Sequence, residues 1–303
     1  MSYKMFQGRA ATLFVGAAAI TFATIAWTGV SAQAPQGQPP AGQGGGRAGA
    51  PPAPAAGQAP AAPAGQGGRG GRAGGAPAGP PPTAQSQQAI DLTGNWVAVV
   101  NEDWRWRMVT PPKGDYASVP LNPAGTAEAD KWTPAQDGQC EAFGMAGLMR
   151  QPTRVRISWQ DPQTLKIETD NGQQTRLLYF DPAAPKPSAP SLQGFSVATW
   201  ERPGGAGRGG RGAAPPPGGD LKAVTTMLRP GWLRKNGVPY SADAEVTEYF
   251  DRFTTPNGDE WFSVTTIVHD PKYLNQDFVT SSHFKKEADG SKWSPTPCKP
   301  SAS

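Results

Sequence analysis

Histidine and cysteine are scarce in this chain, and each occurs only twice among its 303 residues. The cysteines, Cys140 and Cys298, lack the CxxC or Cys-His spacing of a zinc site. The histidines, His269 and His283, fall on adjacent strand-like segments, where a hairpin would hold their rings about 17 Å apart. No G-x-S-x-G, H-E-x-x-H or Walker A motif is present. We therefore predict no metal site and no cofactor.

Long apolar runs are absent after residue 32. Before it, Lys4 and Arg9 precede apolar or small residues from 10 to 27, and Val30-Ser31-Ala32 offers the small residues that a signal peptidase accepts. Residues 1–32 are therefore predicted to be a signal peptide, and the protein to be periplasmic or secreted. The alternative is an uncleaved anchor, since roughly 18–20 apolar residues can span a bilayer. No membrane span is expected in the mature chain.

Acidic residues are absent from two segments rich in glycine and proline, residues 33–88 and 203–219. Such compositions cannot bury enough apolar surface to offset the entropy of the chain. We predict a disordered linker over 33–88 and a disordered loop insertion over 203–219. The arginines of both segments suggest contact with an anionic envelope surface as an alternative to a plain solvated linker.

The formal charge of +4 does not describe the part that can fold. Seven of the 28 basic residues lie in the leader and the two Gly/Pro-rich segments, so 28 − 7 = 21 basic residues remain against 24 acids, a balance of −3. This balance argues against nucleic acid as a partner.

Residues 89–303 contain short runs rich in β-branched and aromatic residues, separated by turn signals such as Asn171-Gly172. Helix signals are confined to 121–132, with Asn122 as cap and Pro123 following it, and to 140–149. We predict an all-β domain, an antiparallel up-and-down barrel with a short helical insert. The ten predicted strands cover 91–100, 104–109, 153–160, 164–170, 173–180, 194–201, 221–228, 245–253, 260–270 and 278–287.

Two cysteines in one domain of an exported protein most simply form one disulfide. The bond between Cys140 and Cys298 would fasten the C-terminal tail to the body of the domain.

Gly94-Asn95-Trp96 resembles the G-x-W motif on the first strand of lipocalins and related calycin barrels, and Thr247-Glu248-Tyr249 is similar to their T-D-Y motif. The resemblance implies a barrel in which Trp96 packs across the closed end. This chain departs from the family in its early helical insert, in its strand count and in lacking an arginine near the last strand.

A second resemblance covers most of residues 91–298. The segments at 120–125, 193–201, 237–241 and 270–273 are similar to those of exported, lipocalin-like bacterial proteins of uncharacterised function. This resemblance implies the fold and export, and it carries no activity.

Nine tryptophans in the foldable part exceed what one core needs, so some are predicted to line a ligand site. Alternation in WRWRMV places Trp104 and Trp106 on one face and Arg107 on the other, and we expect the tryptophans to face inward. Arg107 facing inward would instead offer a cationic clamp. The predicted ligand-binding residues are Trp104, Trp106, Arg107, Glu248, Tyr249 and Trp261.

The favoured function is the binding of a small hydrophobic or aromatic ligand or a carbohydrate. One alternative is an acid–base enzyme, a hydrolase, lyase or isomerase, using His269, His283, Glu248 or Asp251. Another is a structural or accessory envelope protein. In EVTEYFDRF, Glu248 and Arg252 share a face, either as a polar pair inside the barrel or as a surface ion pair.

Overall fold

The computed structural model describes residues 81–203 and 218–301, and most of the described chain is β-structure. The predicted signal peptide, the linker up to residue 80 and residues 204–217 of the predicted loop lie outside the described residues. The strands are β1 (Gly94–Val99), β2 (Arg154–Asp161), β3 (Thr164–Thr169), β4 (Asn171–Gly172), β5 (Thr175–Tyr179), β6 (Phe195–Glu201), β7 (Asp220–Thr226), β8 (Gly231–Arg234), β9 (Val238–Tyr240), β10 (Glu245–Thr254), β11 (Glu260–His269), β12 (Phe278–Glu287) and β13 (Thr296–Pro297).

Nine of these strands close into one barrel in the order β1-β12-β11-β10-β7-β6-β5-β3-β2. Each corresponds to one of the predicted strands, so the prediction of a barrel is confirmed. All neighbouring strands are antiparallel except β5 and β6, which pair in parallel through Leu178 opposite Ser196. Strand direction cannot alternate all the way round an odd number of strands. One parallel contact is therefore required, and the barrel departs here from a purely antiparallel order.

Strand directions place the longest connections at one end of the barrel, which we call the insert end. The insert, residues 100–153, joins β1 to β2 there, and a hairpin of β8 and β9 lies between β7 and β10. Because β5 and β6 are parallel, the connection 180–194 runs from the opposite end back to the insert end. The insert end therefore carries an outer layer built from the insert and the hairpin of β8 and β9.

The insert contains three short α-helices, α1 (Trp104–Arg107), α2 (Pro123–Ala129) and α3 (Met145–Leu148), and 3₁₀ turns at Pro134–Gln136 and Cys140–Phe143. The predicted start of α2 is confirmed: Asn122 Oδ1 accepts from the Gly125 N–H, and Pro123 needs no partner for a missing N–H. No helix within residues 81–203 and 218–301 is long and apolar enough to cross a membrane.

The predicted strand WRWRMV is wrong, because residues 104–107 form one helical turn. Asp103 adopts a left-handed conformation (φ 51°) that ends the extended backbone, and its carbonyl accepts from the N–H groups of Trp106 and Arg107. The expected orientation is also reversed. Arg107 is 2% exposed, whereas Trp104 is 66% exposed.

Side chains fill the barrel interior. A large apolar cluster around Trp96, Phe250, Phe262 and Phe284 occupies one part, and a second cluster joins the barrel to the outer layer through Val246, Val268 and Tyr240 of β9. Trp96 is fully buried, donates from Nε1 to the Leu92 carbonyl at 2.9 Å and packs edge-on against Phe262. These contacts give Trp96 a packing role.

Buried polar side chains also lie on the inner face of the barrel. We call six of them the polar layer: Arg176, Ser196, Thr225, Glu248, Thr266 and Ser282. Arg176 donates to both carboxylate oxygens of Glu248, at 3.3 and 2.7 Å, and the Ser196 and Thr225 hydroxyls lie 2.7 Å apart. The Glu248 carboxylate and the Ser196 and Thr225 hydroxyls are therefore paired within the layer, whereas Arg176 Nε has no partner among the described residues.

The C-terminal tail returns to the insert end. Cys298 forms the predicted disulfide with Cys140, with Cα atoms 4.9 Å apart. Beside it, β13 pairs in parallel with β4, and Cys140 N–H donates to the Lys299 carbonyl. The tail thus becomes part of the outer layer.

At the opposite end, residues 81–88 contact the barrel, although the sequence assigns them to the linker. Ala84 is buried, its N–H donates to Gln163 Oε1, and its carbonyl accepts from Trp200 Nε1. The described part of the chain therefore begins its contacts before residue 89.

Candidate functional site

Three of the predicted ligand-binding residues lie outside the barrel, on α1. The Trp104 ring is exposed to solvent. Trp106 is half-buried, with Nε1 donating to Asp115 and the guanidinium groups of Arg105 and Arg234 on its ring. Arg107 Nε donates to the Arg150 carbonyl at 2.8 Å, and its Nη1 donates to Glu102.

The other three lie on β10 and β11 and face in different directions. Glu248 points into the barrel, where it binds Arg176 rather than Arg252, so its carboxylate is inside and already paired. Tyr249 lies on the outer wall beneath Lys222, and Trp261 stacks there on Phe253. The structure therefore brings Trp106 and Arg107 together and separates the remaining four.

The groups expected to perform acid–base chemistry do not meet. His269 contacts Asp277 at 2.8 Å, and His283 contacts Glu102. Glu248 is inside the barrel, and Asp251 is exposed on the outer wall. Among residues 81–203 and 218–301, no group of three or more His, Cys, Asp or Glu side chains is arranged to hold a metal ion.

A cleft of about 370 Å³ lies at the insert end, between the insert and the hairpin of β8 and β9. We call it the insert cleft. Aromatic side chains dominate its walls: Trp132 from the insert, Trp232 and Tyr240 from the hairpin, and Tyr273 from the β11–β12 connection. Charged groups, including Arg229 and Glu141, complete the lining. This combination of aromatic rings with a few polar groups is typical of small-molecule sites.

Three buried polar atoms in the insert cleft have no hydrogen-bond partner among the described residues. They are Trp132 Nε1, Tyr240 Oη and Glu141 Oε2. Trp132 is 4% exposed and Tyr240 is 0% exposed, so their polar atoms do not have the usual compensation of water contact. A buried polar atom left unpaired costs about 1–3 kcal/mol. All three atoms belong to residues that line the insert cleft, and each atom is itself buried.

Two glycines allow the hairpin to close around Tyr240. A Cβ at Gly144 or at Gly231 would clash with the Tyr240 hydroxyl. The hydroxyl therefore occupies space that only glycine leaves open, in a part of the cleft remote from bulk solvent. Burial raises the pKa of the Tyr240 phenol, so it remains a neutral hydroxyl able to donate and to accept.

The turn of the β8–β9 hairpin requires glycine at position 237. Gly237 has φ 78° and lies directly against Trp132, where any Cβ would clash with the indole side chain. Asn236-Gly237 is therefore both the turn of the hairpin and the surface that fixes the position of Trp132.

The residues that line the insert cleft thus include two indoles, two phenols, two carboxylates, one ammonium and one guanidinium group. This set can bind hydroxyl groups by hydrogen bonds and C–H surfaces by ring contact. The two histidines are not among the lining residues.

A larger cleft, about 530 Å³, lies at the opposite end of the barrel beside Phe180 and Trp200. Its indole is already used, because Trp200 Nε1 donates to the Ala84 carbonyl at 2.9 Å. Residues of the 82–87 segment form part of its wall. This cleft is larger than the insert cleft, but its tryptophan has no free donor to offer.

Sequence reasoning did not single out the residues of the insert cleft. The signal for the hairpin was present in GWLRKNGVPY, where Asn236-Gly237 separates Trp232 and Leu233 from Val238 and Tyr240. This segment was not included among the predicted strands. Without the hairpin, the sequence offered no reason to bring Trp132 and Tyr240 together.

No protein family, no curated protein and no solved structure matches this chain.

Proposed function

We propose that the protein is an exported binding protein that holds a small carbohydrate, or a closely related polyhydroxylated ligand, in the insert cleft. The observation that carries this proposal is the set of three unpartnered buried polar atoms, on Trp132, Tyr240 and Glu141, that line one aromatic cleft. A sugar presents hydroxyl donors and acceptors at its edge and apolar C–H groups on its face, which matches both features.

The buried side chains inside the barrel favour a ligand site outside it. Lipocalin-like barrels bind ligands in the interior, and this chain shares the G-x-W motif at Gly94-Asn95-Trp96 with them. Here the interior is filled by apolar clusters and the polar layer. In our proposal the barrel is the scaffold, and the insert and hairpin supply the recognition surface.

Export is part of the same proposal. It rests on the signal-like segment 1–32 and on the Cys140–Cys298 disulfide, a bond that persists in oxidising compartments. Carbohydrates of the cell envelope would then be within reach of the insert cleft.

The proposal is tested by calorimetric titration of the exported protein with a panel of neutral, amino and acidic mono- and disaccharides. We expect saturable binding of at least one sugar. Trp132→Phe keeps an aromatic side chain but removes the Nε1 donor and part of the ring surface, so affinity should fall at least about 5- to 10-fold, the value of one hydrogen bond. Trp200→Phe at the opposite cleft is the matched control and should leave affinity unchanged. Absence of binding across the panel, or equal loss in both variants, would reject the proposal.

A further inference from the structure

A second unusual set of polar groups lies in the outer layer, apart from the insert cleft. Trp106, Arg107, Arg150, Gln151, Arg234 and Lys235 line a small cavity of about 10 Å³. We call it the arginine cavity. None of these residues lines the insert cleft.

Two guanidinium groups of the arginine cavity are buried and incompletely bonded. Arg234 is 3% exposed, and none of its three side-chain nitrogens has a hydrogen-bond partner among the described residues. Arg107 is 2% exposed, and its Nη2 is likewise without a partner there. Arg234 instead lies over the Trp106 ring, with its Cζ 4.6 Å from the centroid. A buried guanidinium without an acceptor is among the most unfavourable arrangements in a folded protein.

The neighbouring carboxylates do not neutralise this set. Four guanidinium groups, of Arg105, Arg107, Arg150 and Arg234, interact with three carboxylates, of Glu102, Asp103 and Asp115, so 4 − 3 leaves one positive charge. Each carboxylate is paired with an arginine other than Arg234: Glu102 binds Arg107, Asp103 binds Arg150, and Asp115 binds Arg105. One acceptor of unit negative charge is therefore missing.

Burial and the charge of Arg150 lower the pKa of both Arg107 and Arg234 to about 10. Both groups remain protonated at neutral pH, so the positive charge persists inside the protein. A water molecule would accept only two of the available hydrogen bonds and would leave this charge in place.

We propose that the arginine cavity binds one small monovalent anion of halide size, such as chloride, between Arg107 and Arg234. The cavity has room for about one water-sized sphere, which suits a monatomic ion and excludes phosphate or sulfate. Arg107 on α1 and Arg234 at the end of β8 both line the cavity, and each has unpartnered N–H groups among the described residues. Bound chloride would join the insert to the hairpin whether or not the insert cleft binds a sugar.

The test is the thermal unfolding of the exported protein in sodium chloride, with sodium methanesulfonate holding the ionic strength constant. At chloride about 100 times its dissociation constant, Tm should rise by roughly 5–10 °C for a domain of this size. Arg234→Met should remove this chloride dependence. Arg156→Met is the matched control, because Arg156 also lies over an indole, with its Cζ 4.2 Å from the Trp293 centroid, but on the outer wall.

A structural readout does not depend on the variants folding. Crystals of the unaltered protein soaked in sodium bromide should show an anomalous peak between Arg107 and Arg234. A Tm that is independent of chloride, with no bromide peak, would overturn the proposal. Equal chloride dependence in Arg234→Met would also overturn it, and so would stronger stabilisation by phosphate than by chloride.

Discussion

The polar layer of the barrel and the insert cleft both contain buried polar side chains, but the two regions differ in how many of these polar atoms are hydrogen-bonded. In the barrel, both oxygens of Glu248 are bonded to Arg176, and the hydroxyls of Ser196 and Thr225 bind each other, so that Arg176 Nε is the unpaired atom among these four side chains. In the insert cleft, the buried polar atoms of Trp132 and Tyr240 have no partner within the described chain. The difference separates buried polar groups that are mostly paired from buried polar groups without a partner among the described residues, and in our proposal the second kind binds the ligand.

The same comparison identifies where the structure could tolerate change. Breaking a satisfied pair leaves a partner behind and destabilises the protein, whereas removing an unpartnered group removes a penalty. The substitutions below therefore have opposite expected effects in the two regions, which makes the comparison testable.

Removal of the disulfide that attaches the C-terminal tail to the insert should have the largest effect on stability. Cys140→Ser combined with Cys298→Ser opens a loop with a sequence separation of 158 residues, and the chain-entropy model gives about 5 kcal/mol as an upper figure for the loss of unfolding free energy. Chemical denaturation with and without reductant measures it. Reductant should destabilise the unaltered protein and leave the double variant unchanged. An unaltered protein that is insensitive to reductant would contradict the prediction.

Glu248→Gln should be almost as damaging, by about 3–5 kcal/mol, because it leaves the Arg176 guanidinium buried without its counter-ion. Glu168→Gln is the matched control: it breaks a pair with Lys166 whose two side chains are 30% and 31% exposed, and it should cost less than about 1 kcal/mol. Urea denaturation compares the two variants.

A second variant separates pairing from packing. Arg176→Met combined with Glu248→Leu replaces the ion pair with apolar side chains and should recover most of the stability lost in Glu248→Gln. A double variant less stable than the single one would show that the pair does more than neutralise its own charges.

Two hydroxyl deletions compare the regions directly. Ser196→Ala leaves the Thr225 hydroxyl without its partner and should lower the unfolding free energy by about 1–2 kcal/mol. Tyr240→Phe removes a hydroxyl without a partner among the described residues and should leave stability unchanged or raise it by about 1 kcal/mol. Equal destabilisation by the two variants, measured by urea denaturation, would refute the distinction.

The last prediction concerns stability at alkaline pH. Burial and the Asp130 carboxylate raise the pKa of Tyr116 to about 12, and burial also raises that of Tyr240. The unfolded phenols release their protons near pH 10, so the folded state binds more protons above that pH. Stability should therefore fall as pH rises through 10 to 12. Urea midpoints should fall less steeply in Tyr240→Phe and Tyr116→Phe, and unaltered slopes in both would contradict these assignments.

The barrel was largely predictable because its determinants are local. Runs such as EWFSVTTIVHD and turn signals such as Asn171-Gly172 lie within a few residues of the strands they define. The Asn122 cap of α2 is also local, and the disulfide needed only two cysteines. The parallel contact of β5 and β6 is not local. It is required because the closed barrel has nine strands, an odd number that only the whole chain determines.

The candidate sites were harder to predict because distant partners decide them. In WRWRMV, alternation favours a strand, but the left-handed backbone of Asp103 starts a helical turn. Arg107 is buried there because its Nε donates to the Arg150 carbonyl. The sequence places these partners 43 residues apart. Glu248 presented the same difficulty: its partner was expected to be its near neighbour Arg252, and it is Arg176, on a strand across the barrel.

The most direct test of the central distinction is a two-dimensional ¹H–¹⁵N spectrum of the tryptophan indoles during titration with the sugar that binds best. Signals are assigned through single Trp→Phe variants. The Trp132 Nε1–H should shift and saturate with the ligand, because it gains an acceptor that it lacks in the free protein. The Trp96 Nε1–H, already bonded to the Leu92 carbonyl inside the barrel, should not move. A saturating shift of Trp96 with Trp132 unmoved would place the ligand in the barrel interior and contradict the account.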